Sequence, residues 1–73
     1  MHFFYVATRF RYVLVEAANE SDARAAGIAA LHELYADLRE KLGREVPIEI
    51  HTLRPATQDE IELWQFHQRM INQ

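Results

Sequence analysis

NESDARAAGIAALHELYADLREKLG, residues 19–43, is the stretch that decides the fold, because a helical pattern runs through its whole length. Small and apolar residues recur at spacings of three and four, which puts them on one helix face. They are Ala23, Ala26, Gly27, Ala30, Leu31, Leu34, Leu38 and Leu42. Asn19 or Ser21 can cap the start, and Gly43 suits a left-handed end. The sequence predicts a helix over about 20–42 that approaches its neighbour most closely near Gly27.

The residues before this helix, 3–17, are rich in β-branched and aromatic side chains, which are typical of strands. The segment is too long for one ordinary strand, so we predict a hairpin with strands at about 3–8 and 11–17. Its turn falls near Thr8-Arg9-Phe10. No Gly, Pro or Asn marks the turn, so one long bent strand with a bulge is the alternative.

The residues after the helix predict one more strand and one more helix. Residues 46–53 alternate apolar and polar side chains, and Pro47 near their start suits a strand end or an edge. Thr57 and Glu60 have the spacing of a capping box, in which each side chain satisfies the other residue's backbone N–H. The sequence therefore predicts a third strand at about 46–53 and a closing helix at about 58–71.

These elements assemble into one predicted α+β domain that spans residues 1–73. The helix between strands two and three must cross the sheet, so those two strands run parallel to each other. The first strand is the most apolar, so we place it in the middle, in the order 2-1-3, with antiparallel neighbours. The predicted fold is β-β-α-β-α, a two-layer domain with a three-stranded sheet and two helices. The pattern leaves open whether the helices share one sheet face. One helix on each face would give a sandwiched monomer, whereas two on the same face would leave an apolar sheet face for a partner in a two-fold homodimer.

The composition and net charge of the chain exclude some kinds of site and argue against some kinds of partner. The chain of 73 residues has no cysteine, which excludes disulfides and thiolate zinc sites. Its first residues are apolar but few, and no basic region precedes them, so we expect neither a signal peptide nor a membrane span, and a cytoplasmic protein. The net charge is −3 and the eight basic residues are scattered, which argues against a nucleic-acid footprint.

Catalytic and metal-binding patterns are weak in this sequence. No histidine pair has the i, i+4 spacing of a zinc protease helix, and the single serine, Ser21, is explained by helix capping. Glu49 and His51 project to the same side of the third predicted strand and are the best remaining candidates for a metal or enzyme site. We therefore predict a non-enzyme with no catalytic residue, no cofactor and no bound metal.

Surplus apolar surface is the most informative feature for function. The closing helix carries apolar residues on two faces, and the first strand carries aromatic side chains on both of its faces. A domain this small has a thin margin of stability, and association with a partner reinforces it. We therefore expect a non-enzymatic protein-interaction module that self-associates as a homodimer through the apolar sheet face or the closing helix, with another protein as the alternative partner. The predicted interface anchors are Phe4, Tyr12, Leu63, Trp64, Phe66 and Met70.

The predicted hairpin offers an alternative function. Arg9 and Arg11 flank Phe10, and an aromatic side chain between two basic ones can stack on a base while its neighbours contact phosphates. Two arginines at a turn or a sheet edge also keep that edge from pairing with other chains. A nucleic-acid-binding accessory role for Arg9, Phe10 and Arg11 is thus the second hypothesis, and the acidic balance of the chain argues against it.

Overall fold

Six elements follow one another along residues 1–71, which are the residues described by the computed structural model. The strands are β1 His2–Ala7, β2 Tyr12–Ala17 and β3 Thr52–Pro55, and the helices are α1 Glu20–Leu34, α2 Ala36–Leu42 and α3 Gln58–Ile71. The sheet order is β2-β1-β3 and both neighbouring pairs are antiparallel, so the predicted strand order is confirmed. None of the helices in this part of the chain is both long and apolar enough to cross a membrane.

The hairpin between β1 and β2 is built on a threonine side chain. The Thr8 N–H donates to the Arg11 carbonyl over 2.9 Å, and the Thr8 hydroxyl oxygen accepts from the N–H groups of Phe10 and Arg11. A hydroxyl that binds nearby backbone donors replaces the glycine or asparagine of commoner turns. The predicted hairpin is confirmed, and the single bent strand is excluded.

The core lies between α1 and one face of the sheet. Phe4, Val6 and Val13 project from that face and pack with Leu31 of α1. A Cβ atom placed on Gly27 would lie 2.6 Å from Cγ1 of Val6, closer than any real contact, so only glycine fits at this crossing. The predicted close approach at Gly27 is confirmed.

The closing helix α3 lies on the opposite face of the sheet. Tyr5 and Tyr12 alternate with the core residues and therefore project from this second face. The Arg54 guanidinium lies 4.3 Å from the centre of the Tyr5 ring and binds Glu60 in the first turn of α3. Trp64 of α3 lies 6.1 Å from Tyr12, measured between ring centres. Each face of the sheet thus has its own helix, and neither face is fully open.

The long helix predicted at 20–42 is wrong in one respect, because it breaks at Tyr35 into α1 and α2. Tyr35 has φ −93° and ψ 8°, outside helical geometry. Arg11 donates to the carbonyl of Leu34 and lies over the Tyr35 ring, and the Tyr35 hydroxyl bonds to Thr8 Oγ1 over 2.6 Å. These contacts hold the Leu34 carbonyl and Tyr35 toward the hairpin. The element order is therefore β-β-α-α-β-α, with three helices.

The third strand is shorter than the predicted 46–53 and ends later, because β3 begins only at Thr52 and closes at Pro55. Its pairing partner, β1, ends at Ala7, which lies opposite Thr52, and the chain then turns away. The His51 N–H still donates to the Ala7 carbonyl over 2.8 Å. Earlier residues have no strand beside them, so their alternating pattern does not produce a strand.

The predicted helix ends are confirmed. Asn19 caps α1 by accepting from the Asp22 N–H, and Gly43 closes α2 with φ 67°. The capping box of α3 forms, since the Glu60 N–H donates to Thr57 Oγ1 over 3.2 Å and the Thr57 N–H donates to Glu60 Oε1 over 2.9 Å. Local sequence is sufficient to set these ends.

Candidate functional site: the exposed face of α3 and the neighbouring edge strand

Helix α3 is the least buried element that carries large apolar side chains. None of its residues is buried, and Ile61 and Trp64, on the face toward the sheet, are half-buried. Leu63, Phe66 and Met70 are 52%, 53% and 58% exposed. Their spacing of three and four puts them along one line of the helix, which we call the α3 stripe. Adjacent exposed apolar side chains of this kind are a feature of interaction surfaces.

One ion pair fixes the beginning of α3. Arg54 of β3 donates through both Nη atoms to the two carboxylate oxygens of Glu60, each over 2.8 Å. The paired hydrogen bonds from Arg54, with a further one from the Thr57 N–H, lower the pKa of Glu60 to about 2. Such two-pronged pairing restricts geometry as well as adding energy. The first turn is therefore tied firmly to the sheet.

A row of stacked side chains joins α3 to the outer strand β2. Arg54 lies over Tyr5, Tyr5 stacks on Tyr12 with ring centres 5.2 Å apart, and Tyr12 contacts Trp64. These four residues cross the second sheet face from β3 through β1 to β2, and Tyr12 is still 39% exposed. The row connects Trp64, in the middle of α3, with Tyr12 of β2.

The predicted interface anchors divide into two groups. Phe4 is 6% exposed and belongs to the core under α1, so it is not available at the surface of the chain. Strand alternation shows that its face differs from that of Tyr5, but not which face α1 covers. The other five are at least partly exposed, and they are Tyr12, Leu63, Trp64, Phe66 and Met70. Tyr12 and Trp64 contact each other, whereas the other three lie on the side of α3 that faces away from the sheet.

Sequence reasoning missed the anchoring role of the residues that hold this surface in place. Glu60 was assigned to a helix cap alone, yet it also binds Arg54. Tyr5, one of the aromatic side chains of the first strand, has a cation–π partner in Arg54. The available signal was the register between strands one and three, which puts Tyr5 opposite Arg54. That register cannot be read from spacing within either strand.

The surface area and extent of the chain exceed those of a typical compact domain. The Cα radius of gyration is 12.8 Å, whereas about 11 Å is expected for a domain of this length. The accessible surface is 5387 Å², against about 4,700 Å² for a monomer of this mass. The chain is therefore less compact than a typical monomer of its length.

The hairpin tip presents a smaller, separate surface. Phe10 is 89% exposed and Arg9 is exposed beside it. Arg11 is engaged within the chain, because it bonds to the Leu34 carbonyl and pairs with Asp37 over 3.3 Å. The hydrogen bond from Arg11 lowers the pKa of Asp37. Of the three residues in the nucleic-acid hypothesis, only Arg9 and Phe10 project freely.

A groove beside the tip has a volume of about 370 Å³, within the usual range of ligand sites. Its apolar wall includes Tyr35, Leu38, Val46 and Pro47, and Glu49 also lines it. His51 is the other residue of the predicted pair, and its Nδ1 atom lies 3.3 Å from Oγ1 of Thr52. Within residues 1–71, no group of three histidine or acidic side chains is placed to hold a metal ion.

Comparisons with known proteins add no family and no relative. No family model matches the chain, and no curated protein and no solved structure is significantly similar to it.

Proposed function

We propose that this chain is a non-enzymatic interaction module that self-associates as a homodimer through the α3 stripe. The observation that carries the proposal is a line of three half-exposed large apolar side chains on a helix with no buried residue. Contiguous apolar patches on small proteins mark interaction sites, and aromatic and methionine side chains are enriched at interface centres. A two-fold pair is the commonest closed assembly of identical chains.

The position of the α3 stripe on one exposed side of the helix supports two-fold association. Because a two-fold axis brings the same patch of both chains together, each copy of the α3 stripe covers the other. The ion pair between Arg54 and Glu60 holds the helix in position before the partner arrives, which lowers the ordering cost of association.

The test compares two variants with the same change in charge. Phe66→Glu places a carboxylate in the α3 stripe, whereas Gln65→Glu places one at an exposed position outside that line. Light scattering at equal concentration should give a monomer mass for Phe66→Glu and a dimer mass for Gln65→Glu and the unmodified chain. Circular dichroism should show the same helix content in all three. An unchanged mass for Phe66→Glu would refute the role of the stripe.

A second candidate function is that of a nucleic-acid-binding accessory protein, and the exposed Phe10 supports it. An aromatic side chain that is 89% exposed beside Arg9 is available to stack on an unpaired base. Binding of this kind releases counterions, so its affinity falls steeply as salt rises. Titration of a single-stranded oligonucleotide at two salt concentrations tests it, and the absence of salt-sensitive binding would remove this candidate.

A further inference from the structure

The α3 stripe lies on the side of its helix that faces away from the sheet. Glu60 binds Arg54 and Trp64 contacts Tyr12, so Glu60 and Trp64 identify the side of α3 that faces the sheet. Each residue turns the helix by about 100°, which puts the stripe on the opposite side. A second helix can therefore pack along the stripe without contacting the strands.

Two side chains of opposite charge border the α3 stripe along the same flank. Glu62 lies four residues before Phe66 and Arg69 lies three residues after it, so both are neighbours of Phe66 on the helix surface. Their spacing of seven residues is almost two full turns, or about 10.5 Å along the helix axis. Both side chains are exposed. The stripe thus has a carboxylate beside its beginning and a guanidinium beside its end.

These two charges are not paired with each other or with the rest of the described chain. Within residues 1–71, none of the ion pairs includes Glu62 or Arg69. Glu62 accepts a hydrogen bond of 3.4 Å from the neutral amide of Gln58. Ion pairs within one helix form at spacings of three and four residues, and these two side chains are further apart. Each charge is therefore available to an opposite charge on another molecule.

Resting on the self-association proposed above, we infer that α3 packs antiparallel against α3 of a second copy, with Glu62 of each chain beside Arg69 of the other. A two-fold axis perpendicular to the helices brings the charged flanks of the two copies together with their directions reversed. Carboxylate and guanidinium then meet on both sides of the axis, and charges beside an apolar seam set the orientation of paired helices. A parallel pair would instead place Glu62 beside Glu62 and Asp59 beside Asp59, which is destabilising.

The same register fits the apolar side chains of the stripe. If Glu62 lies opposite Arg69, the axis is midway between these two positions, so Phe66 of both copies lies next to it. Leu63 is then level with the gap between Phe66 and Met70 of the second copy. Packed helices interlock in this way, with each side chain entering a gap in the facing helix. Charge pairing and apolar packing therefore favour one and the same register.

Reversal of either charge tests the pairing. Glu62→Arg puts two guanidinium groups together at both ends of the interface, and Arg69→Glu puts two carboxylates there. Two attractions become two repulsions, so we expect the dimer dissociation constant, measured by sedimentation, to rise about tenfold. Glu33→Arg and Arg24→Glu make the same changes at exposed positions of α1, on the other side of the sheet, and should change it less than about threefold. A parallel pair already opposes like charges, so an unchanged constant for Glu62→Arg would overturn the inference.

Exchange of the two charges is the sharper test, because it leaves the net charge unchanged. Glu62→Arg combined with Arg69→Glu restores opposite charges at both ends of an antiparallel pair. The dissociation constant should return to within about threefold of that of the unmodified chain. The exchange opposes the helix dipole of each chain, so recovery cannot come from a more stable helix. A double variant that associates as weakly as either single variant would contradict the register.

The outcomes separate this inference from the proposed function. If the unmodified chain is a monomer, self-association itself is wrong. If it is a dimer that Phe66→Glu disrupts but neither charge reversal weakens, the α3 stripe carries association and the antiparallel pairing is wrong. Weakening by each reversal, with recovery in the double variant, supports the pairing. The weakening should also shrink in about 1 M salt, where the Debye length is only about 3 Å.

Discussion

Helices α1 and α3 lie on opposite faces of the same sheet and are used differently. α1 buries Ala23, Gly27 and Leu31 against the sheet, whereas α3 buries none of its residues and keeps an apolar stripe outside. Both carry enough apolar residues to pack, so composition does not distinguish them. The difference lies in side-chain size where each helix crosses the sheet, because small residues let α1 approach Val6 closely. Bulky Trp64 and the Arg54–Glu60 pair hold α3 above its face.

The sharpest contrast is between one leucine on each helix. Leu31 is fully buried, so Leu31→Ala should cost about 2–5 kcal/mol, a large part of the roughly 4–11 kcal/mol expected for a domain of this length. Leu63 is half-exposed, and Leu63→Ala should cost less than about 1 kcal/mol in the dissociated chain. Urea unfolding at low protein concentration measures both. Similar losses for the two variants would show that α3 is packed as tightly as α1.

The close approach of α1 predicts a smaller but specific effect at Gly27. Gly27→Ala should destabilise the chain by about 1–2 kcal/mol, because overpacking against Val6 outweighs the gain in helix propensity. Val6→Ala removes the atoms that the new methyl group meets. The double variant should therefore be more stable than the sum of the two single effects predicts, which a double-mutant cycle in urea detects. Simple additivity would mean that the two residues are not in contact.

The attachment of α3 should depend on pH through Glu60. The folded pKa of about 2 lies below the ordinary value of 4.5. The ion pair therefore contributes its full stability above pH 4.5, and that contribution is lost as the pH falls toward 2. Trp64 fluorescence and unfolding at several pH values should follow this loss. In Glu60→Gln, the part of the pH dependence due to this carboxyl should be absent, and a profile identical to that of the unmodified chain would contradict the assignment.

The hairpin tip should have the smallest effect on stability. Phe10 is almost fully exposed, so Phe10→Ser should change the free energy of unfolding by less than about 0.5 kcal/mol and leave the molar mass unchanged. Thermal unfolding and light scattering measure these two quantities. If Phe10→Ser instead shifts the chain from dimer to monomer, the tip belongs to the interface, and the stripe on α3 is not sufficient to explain association.

Features set by neighbouring residues could be predicted from the sequence. The caps at Asn19 and Gly43, the capping box at Thr57 and the close approach at Gly27 depend on residues within a turn or on side-chain size. The central position of β1 followed from its apolar character. These features need no knowledge of distant contacts, which explains why spacing and residue type were enough.

Features set by distant contacts could not be predicted. The break at Tyr35 depends on Arg11 from the hairpin, and the late start of β3 depends on where β1 turns. The same limit applies to the candidate site, where alternation could not assign Phe4 to the covered face. The apolar residues of α3 were recognisable as surplus, but the row of side chains that connects Trp64 with Tyr12, Tyr5 and Arg54 required the strand register.

The most direct test of the central claim is the molar mass of the unmodified chain, measured by light scattering through a dilution series. If the surplus apolar surface serves self-association, the mass will be twice the 8.6 kDa of the chain at high concentration. It will fall toward one chain only on strong dilution, with a change in Trp64 fluorescence. A mass of 8.6 kDa at every concentration would contradict the account.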